Sequence, residues 1–368
     1  MPYYADMSRG RWPWNDDPDA RTRAAGRLLD LRAALETGPA AVPRRTLHTL
    51  LLATWNLREF DSESWGRRLP ESYAYIAEVL DRFDLIAVQE VRGDLDALDA
   101  VAYRLGRHWS YVVSDVTEGR AGNQERLAFL YDTRKVRFLG IAGELVLPPV
   151  VEDGRAVPAQ QVARTPLMAG FQVGWTRFVL ATVHILYGPS EAEPLARVEE
   201  IRQVARFLRR RTDDPSENVR NLIVLGDFNI FSDSDATMRA LVEDGGFEIP
   251  EGVKSIPGTN VPRDKKYDQI AFRARGERFE CTGRAGAFDF YEHVFTDADA
   301  DLYRPYIDRY ITARHDDGHR SPKKPADAAA AKKQFRAWRT YQMSDHLPLW
   351  AEFRVDFSDE YLTRIAKR

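Results

Sequence analysis

Six polar groups, far apart along the chain, sit at the ends of short apolar runs, and their types suit phosphate and metal chemistry. In Asn221-Leu222-Ile223-Val224-Leu225-Gly226-Asp227-Phe228-Asn229, four apolar residues read as a buried strand and Gly226 as its end. Asp227 and Asn229 follow at i and i+2, which places both side chains on one face if the backbone stays extended. The run Leu50 to Ala53 leads to Trp55-Asn56, Leu85 to Val88 leads to Gln89-Glu90, and Phe178 to Val183 leads to His184. Lys266-Tyr267-Asp268-Gln269-Ile270 presents Asp268 at a strand start, and Ser344-Asp345-His346 precedes the last apolar run. Taken alone, each group reads as a satisfied surface or core residue, and an Asp-x-Asn pair as a turn closure. Six such groups at strand ends define a rim where a site converges. Carboxylates and carboxamides suit a hard divalent cation, which takes oxygen ligands, and an imidazole held by a carboxylate suits proton transfer near neutral pH.

The ordered set Asn56, Gln89-Glu90, His184, Gly226-Asp227-Phe228-Asn229, Tyr267-Asp268 and Ser344-Asp345-His346 resembles the endonuclease/exonuclease/phosphatase superfamily. Its members include deoxyribonuclease I, apurinic-site endonucleases, inositol polyphosphate 5-phosphatases and neutral sphingomyelinases. The resemblance covers about residues 47 to 357. It implies an α/β four-layer sandwich of two packed mixed β-sheets flanked by helices, and phosphoester cleavage that depends on Mg²⁺ or Mn²⁺. Glu90 is the first candidate metal ligand, with the amide oxygen of Asn56 beside it and Asp345 as the third. Asp227 and Asn229 complete this site or a second one.

Similarity to deoxyribonuclease I further implies two catalytic pairs, His346 oriented by Asp268 and His184 by Glu125. Glu125 closes the stretch Gly119-Arg120-Ala121-Gly122-Asn123-Gln124-Glu125. His346 is then the base or a phosphate binder and His184 the acid, or the two roles are exchanged. Arg164 matches a phosphate-contacting arginine, and Arg92 the position of an arginine that enters the minor groove. A neighbouring tyrosine used for the same purpose is replaced by Asn123. The inositol 5-phosphatase pattern is absent, because Ile230-Phe231 follows Asn229 and Lys265-Lys266-Tyr267 precedes Asp268. DNA is the expected substrate. A lipid phosphodiester (sphingomyelinase-like) or a small phosphoester is the alternative, and a catalytically silent binding module is disfavoured because every expected polar position is filled.

The composition agrees with such an enzyme without proposing it. A chain of 368 residues, 44% of them hydrophobic, supports a large core. A net charge of −3 argues neither for nor against nucleic acid, since a local basic patch matters more than the total. Cys281 is the only cysteine, so no intrachain disulfide forms, and nothing in the sequence supports structural calcium sites. No basic-then-apolar leader or run of 18 apolar residues is present, so the expected location is the cytoplasm, without membrane insertion.

Around the site residues the patterning alternates as in α/β proteins. Residues 1–46 form an N-terminal extension with one helix, from Asp17-Pro18 to Gly38-Pro39, striped by Leu28, Leu31 and Leu35. The main domain spans 47–357, with helices near 71–83, 94–105 and 194–211 and a strand-rich middle, and 358–368 is a tail. Four arginines within 206–211 read as a solvated helix end facing the helix dipole. An insertion at about 289–342 reads as a surface excursion with one short helix. Its Lys and Arg residues, Trp338 and Tyr341 offer a second reading as a polyanion contact. His315 and His319 do not make a zinc site, because Gly318 opposes a helix there and no third ligand accompanies them.

Overall fold

In a computed structural model the chain is described over residues 2–8, 18–38, 40–62, 64–118, 123–217, 220–275, 279–316 and 322–367. From the N-terminus the elements are α1 (Pro18–Thr37), β1 (Thr49–Phe60), α2 (Pro70–Leu80), β2 (Leu85–Arg92), α3 (Asp96–Leu105), β3 (Trp109–Val113) and β4 (Glu125–Asp132). Next come β5 (Arg137–Glu144), the hairpin β6 (Val150–Glu152) and β7 (Arg155–Val157), β8 (Leu167–Val173), β9 (Thr176–His184), α4 (Leu195–Asp213) and β10 (Asn221–Asp227). Two short helices follow, α5 (Ala236–Arg239) and α6 (Glu251–Lys254), and then β11 (Asp268–Ala274) and β12 (Glu280–Ala287). The chain closes with α7 (Ala300–Asp316), α8 (Ala328–Gln342), β13 (Leu349–Arg354) and α9 (Ser358–Ala366).

The strands make two mixed sheets, β12-β13-β1-β2-β4-β3 and β11-β10-β9-β8-β5. The alternation of β1 and β2 shows how they pack. Leu50, Leu52, Leu85 and Ala87 point into the core between the sheets, while Leu51, Ala53, Ile86 and Val88 point under the helices on the other face. A strand buried on both sides has no polar face, which is why these segments read as unbroken apolar runs.

This topology brings the polar strand ends to one edge. β1 and β2 are parallel, as are β9 and β10, so Asn56, Glu90, His184 and Asp227 all lie at carboxyl ends. β11, β4 and the approach to β13 run antiparallel to them, so Asp268, Glu125 and His346 arrive at the same edge from strand starts. In register, Asp227 is flanked by His184 on β9 and Asp268 on β11.

Gly226 stands one residue before the end of its strand. It lies inside β10 with φ of 137°, and a Cβ there would stand 2.1 Å from the Val183 carbonyl oxygen. The β9 backbone approaches so closely that only glycine fits. Gly226→Ala is therefore expected to cost about 3 kcal/mol or more in chemical unfolding. It should also pull His184 away from Asp227, so activity falls further than stability alone predicts.

Helix α1 docks on α2 through Leu28, Leu31 and Leu35, with Arg23 2.9 Å from Glu71 and Arg32 2.9 Å from Glu78. The flanking Asp17 and Pro39 lie outside the described residues. The insertion differs from the surface excursion expected of it. It holds two helices of 17 and 15 residues, and Phe295, Tyr303, Phe335 and Trp338 are buried in the core under the first sheet. Tyr303, Ile307 and Ile311 form a stripe at four-residue spacing, and Phe335 and Trp338 meet it from α8. The Ala/Lys content of the segment masked this pattern. Trp338, being core, cannot contact a ligand. His319 lies outside the described residues. In the arginine-rich end of α4, Arg206 pairs with Asp244, Arg209 with Asp213 and Arg211 with Glu217, as a solvated helix end would. Among the described residues no helix is long and apolar enough to cross a membrane.

Candidate active site

The centre of the site is one carboxylate oxygen, Oδ2 of Asp227. It lies 3.1 Å from Asn56 Nδ2, 3.6 Å from His184 Nε2 and 3.7 Å from His346 Nε2. The other oxygen, Oδ1, accepts the backbone N–H of Asn229 at 2.9 Å. Asn229 therefore does not share an extended face with Asp227. Its φ is 53°, and a side-chain-to-backbone turn folds the chain back just past the strand. Its own amide donates to the Ile185 carbonyl at 2.8 Å.

Glu90 is delivered by a second irregularity. The pairing of β2 with β4 slips between Val88 and Val91, and Glu90 adopts φ of 61°. A bulge with a left-handed non-glycine residue re-aims a side chain at the cost of backbone strain. The Glu90 carboxylate accepts from Asn56 Nδ2 at 2.8 Å and from the Glu59 N–H at 2.6 Å. Burial pushes its pKa up, with the His184 charge opposing.

Two histidine–carboxylate pairs face the central oxygen. Nδ1 of His346 is hydrogen-bonded to Asp268 Oδ2 at 2.8 Å, and Nδ1 of His184 makes a close ionic contact with Glu125 Oε2 at 2.9 Å. Both pairs are buried. Each leaves Nε2 directed at Asp227. Burial works against charge on both rings, yet the surrounding carboxylates outweigh it. Asp268 and Asp227 hold His346 well above the ordinary histidine range, and Glu125 and Asp227 raise His184.

Burial would push Glu125 up, but His184, Arg164 and Asn123 hold it down at about 2, below its ordinary 4.5. Its carboxylate thus favours the folded state above the unfolded pKa, and that contribution is lost as pH falls through about 2. Urea unfolding at a series of pH values should show this loss below about pH 4.5. Glu125→Gln should be less stable at neutral pH and change less across the same window.

Asn56 Oδ1 is buried without a hydrogen-bond partner, while Nδ2 of the same amide serves two carboxylates. An orphaned amide oxygen beside Glu90 and Asp227 is a donor set that fits a hard cation retaining several waters. Among the described residues no three His, Cys, Asp or Glu side chains are gathered as a metal cluster.

A sequence model of the Endonuclease/Exonuclease/phosphatase family matches residues 53–288, nearly two thirds of the chain and all of the site residues up to Asp268. The chain belongs to this family. Members of the endonuclease/exonuclease/phosphatase family hydrolyse phosphoesters. A relative in Thioalkalivibrio sp. (strain K90mix), named deoxyribonuclease, is 33% identical over 236 residues, 62% of this chain and 59% of the relative's length. The match thus spans less than two thirds of that relative. A solved family protein of Bacteroides thetaiotaomicron is 18% identical, with a TM-score of 0.52, covering 84% of this chain and 96% of its own. A mannosyl-6-phosphatase of the same organism (18% identical, covering 83% and 99%) and TDP2 of D. rerio with a single-strand DNA product (13%, covering 83% and 99%) each give a TM-score of 0.50. At such identities the likeness is one of fold.

Within this family member the remaining candidates fall differently. Arg164 Nε lies 2.8 Å from Glu125 Oε2, a close ionic contact that is not aligned as a hydrogen bond. Asp345 stands near enough to Glu90 and His346 for its charge to act on both. Its side chain is 42% exposed and also pairs with Arg58, 3.3 Å away. Arg92 is half-buried at the end of β2, in register with Glu125. Asn123, read as a lost groove contact, donates to Glu125 at 2.5 Å and belongs to the His184 pair.

Arg197 was not legible as functional. Its buried guanidinium donates to six carbonyls, those of Leu186, Tyr187, Pro189, Glu191, Ala192 and Asn229. It thereby ties the loop after His184 to the turn after Asp227. An arginine on a helix face carries no sign of this in the sequence.

Proposed function

We propose that the protein is a Mg²⁺- or Mn²⁺-dependent nuclease that hydrolyses DNA phosphodiesters. The convergence of two carboxylate-held imidazoles on Asp227 Oδ2, beside Asn56 and Glu90, carries this reading. The deoxyribonuclease name of the 33% identical relative supports the choice of DNA. Phosphodiester hydrolysis needs neutralised phosphate oxygens, an attacking water that loses a proton and a leaving oxygen that gains one. Glu90 and Asn56 would hold the cation, with Asp227 adjoining. When bound, it supplies positive charge to the phosphate and acidifies water.

His346, cationic and fixed by Asp268, binds a phosphoryl oxygen. Asp227 orients the attacking water and accepts its proton. His184, protonated on both ring nitrogens and held through Nδ1 by Glu125, donates its Nε2 proton to the leaving oxygen as the phosphorus–oxygen bond breaks. Arg164 holds Glu125 and lends positive charge to the phosphate pocket.

The test is nicking of supercoiled plasmid by purified protein in Mg²⁺, Mn²⁺ or EDTA, beside sphingomyelin, phosphoinositides and a phosphomonoester. Metal-dependent nicking that disappears in His184→Ala is expected. Turnover of lipid or phosphomonoester with no nicking of any DNA would replace this reading.

A further inference from the structure

Two groups of aromatic side chains border the phosphate pocket, and neither belongs to the catalytic set. The first consists of Tyr187, Phe231 and Tyr267, which follow or precede His184, Asn229 and Asp268 by one to three residues. Their ring centroids lie 5.5–6.3 Å apart, and Tyr267 continues the row to His346 at 5.5 Å. Tyr187 is 38% exposed, Phe231 and Tyr267 are part-exposed, and Lys265 Nζ stands 4.2 Å from the Phe231 ring. The second group borders Arg58 and Asp345. Trp65 lies 5.8 Å from Tyr310 and 6.4 Å from Tyr341, and the Arg58 guanidinium stacks 4.1 Å from the Tyr341 ring. Tyr310 and Tyr341 come from the two helices of the insertion, whose Tyr303, Phe335 and Trp338 are buried in the core.

Rings left part-exposed on a rim, with cations interleaved, suit flat partners joined by negative charge. Nucleobases on an unpaired strand are such partners, and every base offers a π-face to a ring. In a duplex those faces are stacked inside, and neither a sugar phosphate nor a lipid headgroup has them.

Building on the nuclease reading, we propose that the substrate is a single-stranded or locally unpaired nucleic acid, with bases on either side of the scissile phosphate stacked on Tyr187 and on Trp65. Groove reading by Arg92 is then unnecessary, which agrees with Asn123 being spent on Glu125.

The experiment measures binding of fluorescent oligonucleotides by the full-length His184→Ala protein in Mg²⁺. The probes are oligo-dT, oligo-rU, a hairpin-closed duplex and an abasic strand of equal length and charge. Oligo-dT should bind at least about 5-fold more tightly than the abasic strand for each ring engaged, and more tightly than the duplex. Adding Trp65→Ala or Tyr187→Ala should shrink the dT-to-abasic ratio, while Trp65→Phe and Tyr187→Phe keep it. Thermal melts check that these variants fold. The rU probe shows whether the strand is DNA or RNA. Equal binding of dT and abasic strands, or a ratio indifferent to both alanine variants, overturns the stacking proposal and leaves plasmid nicking untouched. Failure to bind any probe, together with the absence of nicking, overturns the nuclease reading as well.

Discussion

Asp227→Ala should lower kcat for DNA cleavage by roughly 1,000-fold or more, the upper part of the range for a residue that takes part in proton transfer. The carboxylate is the shared neighbour of Asn56, His184 and His346, so its removal disturbs three groups together. It also removes the acceptor that folds Asn229 back against the strand. Asp227→Asn separates the two effects. It keeps an oxygen for the Asn229 N–H and discards the charge, so its melting temperature should stay near that of the parent while kcat remains low. Combining either change with His184→Ala should cost much less than the product of the single losses, because residues acting as a unit are not additive. Independent, multiplicative losses would show that Asp227 and His184 do not work on the same step.

The largest stability effect is expected at Arg197. A guanidinium buried with no carboxylate at ion-pair distance among the described residues bears a heavy desolvation cost, and burial lowers its pKa although Asp227 and Asp235 oppose this. Six carbonyl oxygens compensate. Arg197→Met retains much of the volume but leaves those carbonyls without a donor, and unfolding in urea should register about 3–5 kcal/mol of destabilisation. Arg197→Lys, with a compact head and fewer donors, should fall between the two. The loop from Leu186 to Ala192 should also loosen in hydrogen exchange, and with it the tether between His184 and Asn229. A small stability change with unaltered loop protection would show that the carbonyls find other donors.

The strand-end groups were readable because burial leaves apolar letters in the strand interiors and function leaves polar letters at their ends. That logic placed Asn56, Glu90, His184, Asp227, Asp268 and His346 at one edge, where the sheet pairing puts them. It did not foresee where the backbone departs from regular geometry to deliver them. Asn229 reaches its place through a left-handed turn, and Glu90 through a bulge. Gly226 permits a close strand approach one residue before β10 ends. Such departures depend on neighbouring strands that the local sequence does not name. Asp345 illustrates a different limit, since its ion pair with Arg58 joins partners 287 positions apart in sequence. The insertion was misread because its stripe is carried by widely spaced aromatics amid alanines and lysines.

The N-terminal helix crosses from the catalytic core to the insertion, and this has a practical consequence. Arg23 meets the buried Glu71 of α2, while Arg27, one turn later, meets Asp299 just ahead of α7. A clone trimmed to the 53–288 span shared with the family would strand Glu71 without its cation. It would also delete β13, the neighbour of β1 in mid-sheet, along with His346. Such a fragment should reach inclusion bodies, not an assay, so any shortened version for biochemistry must keep α1 and β13.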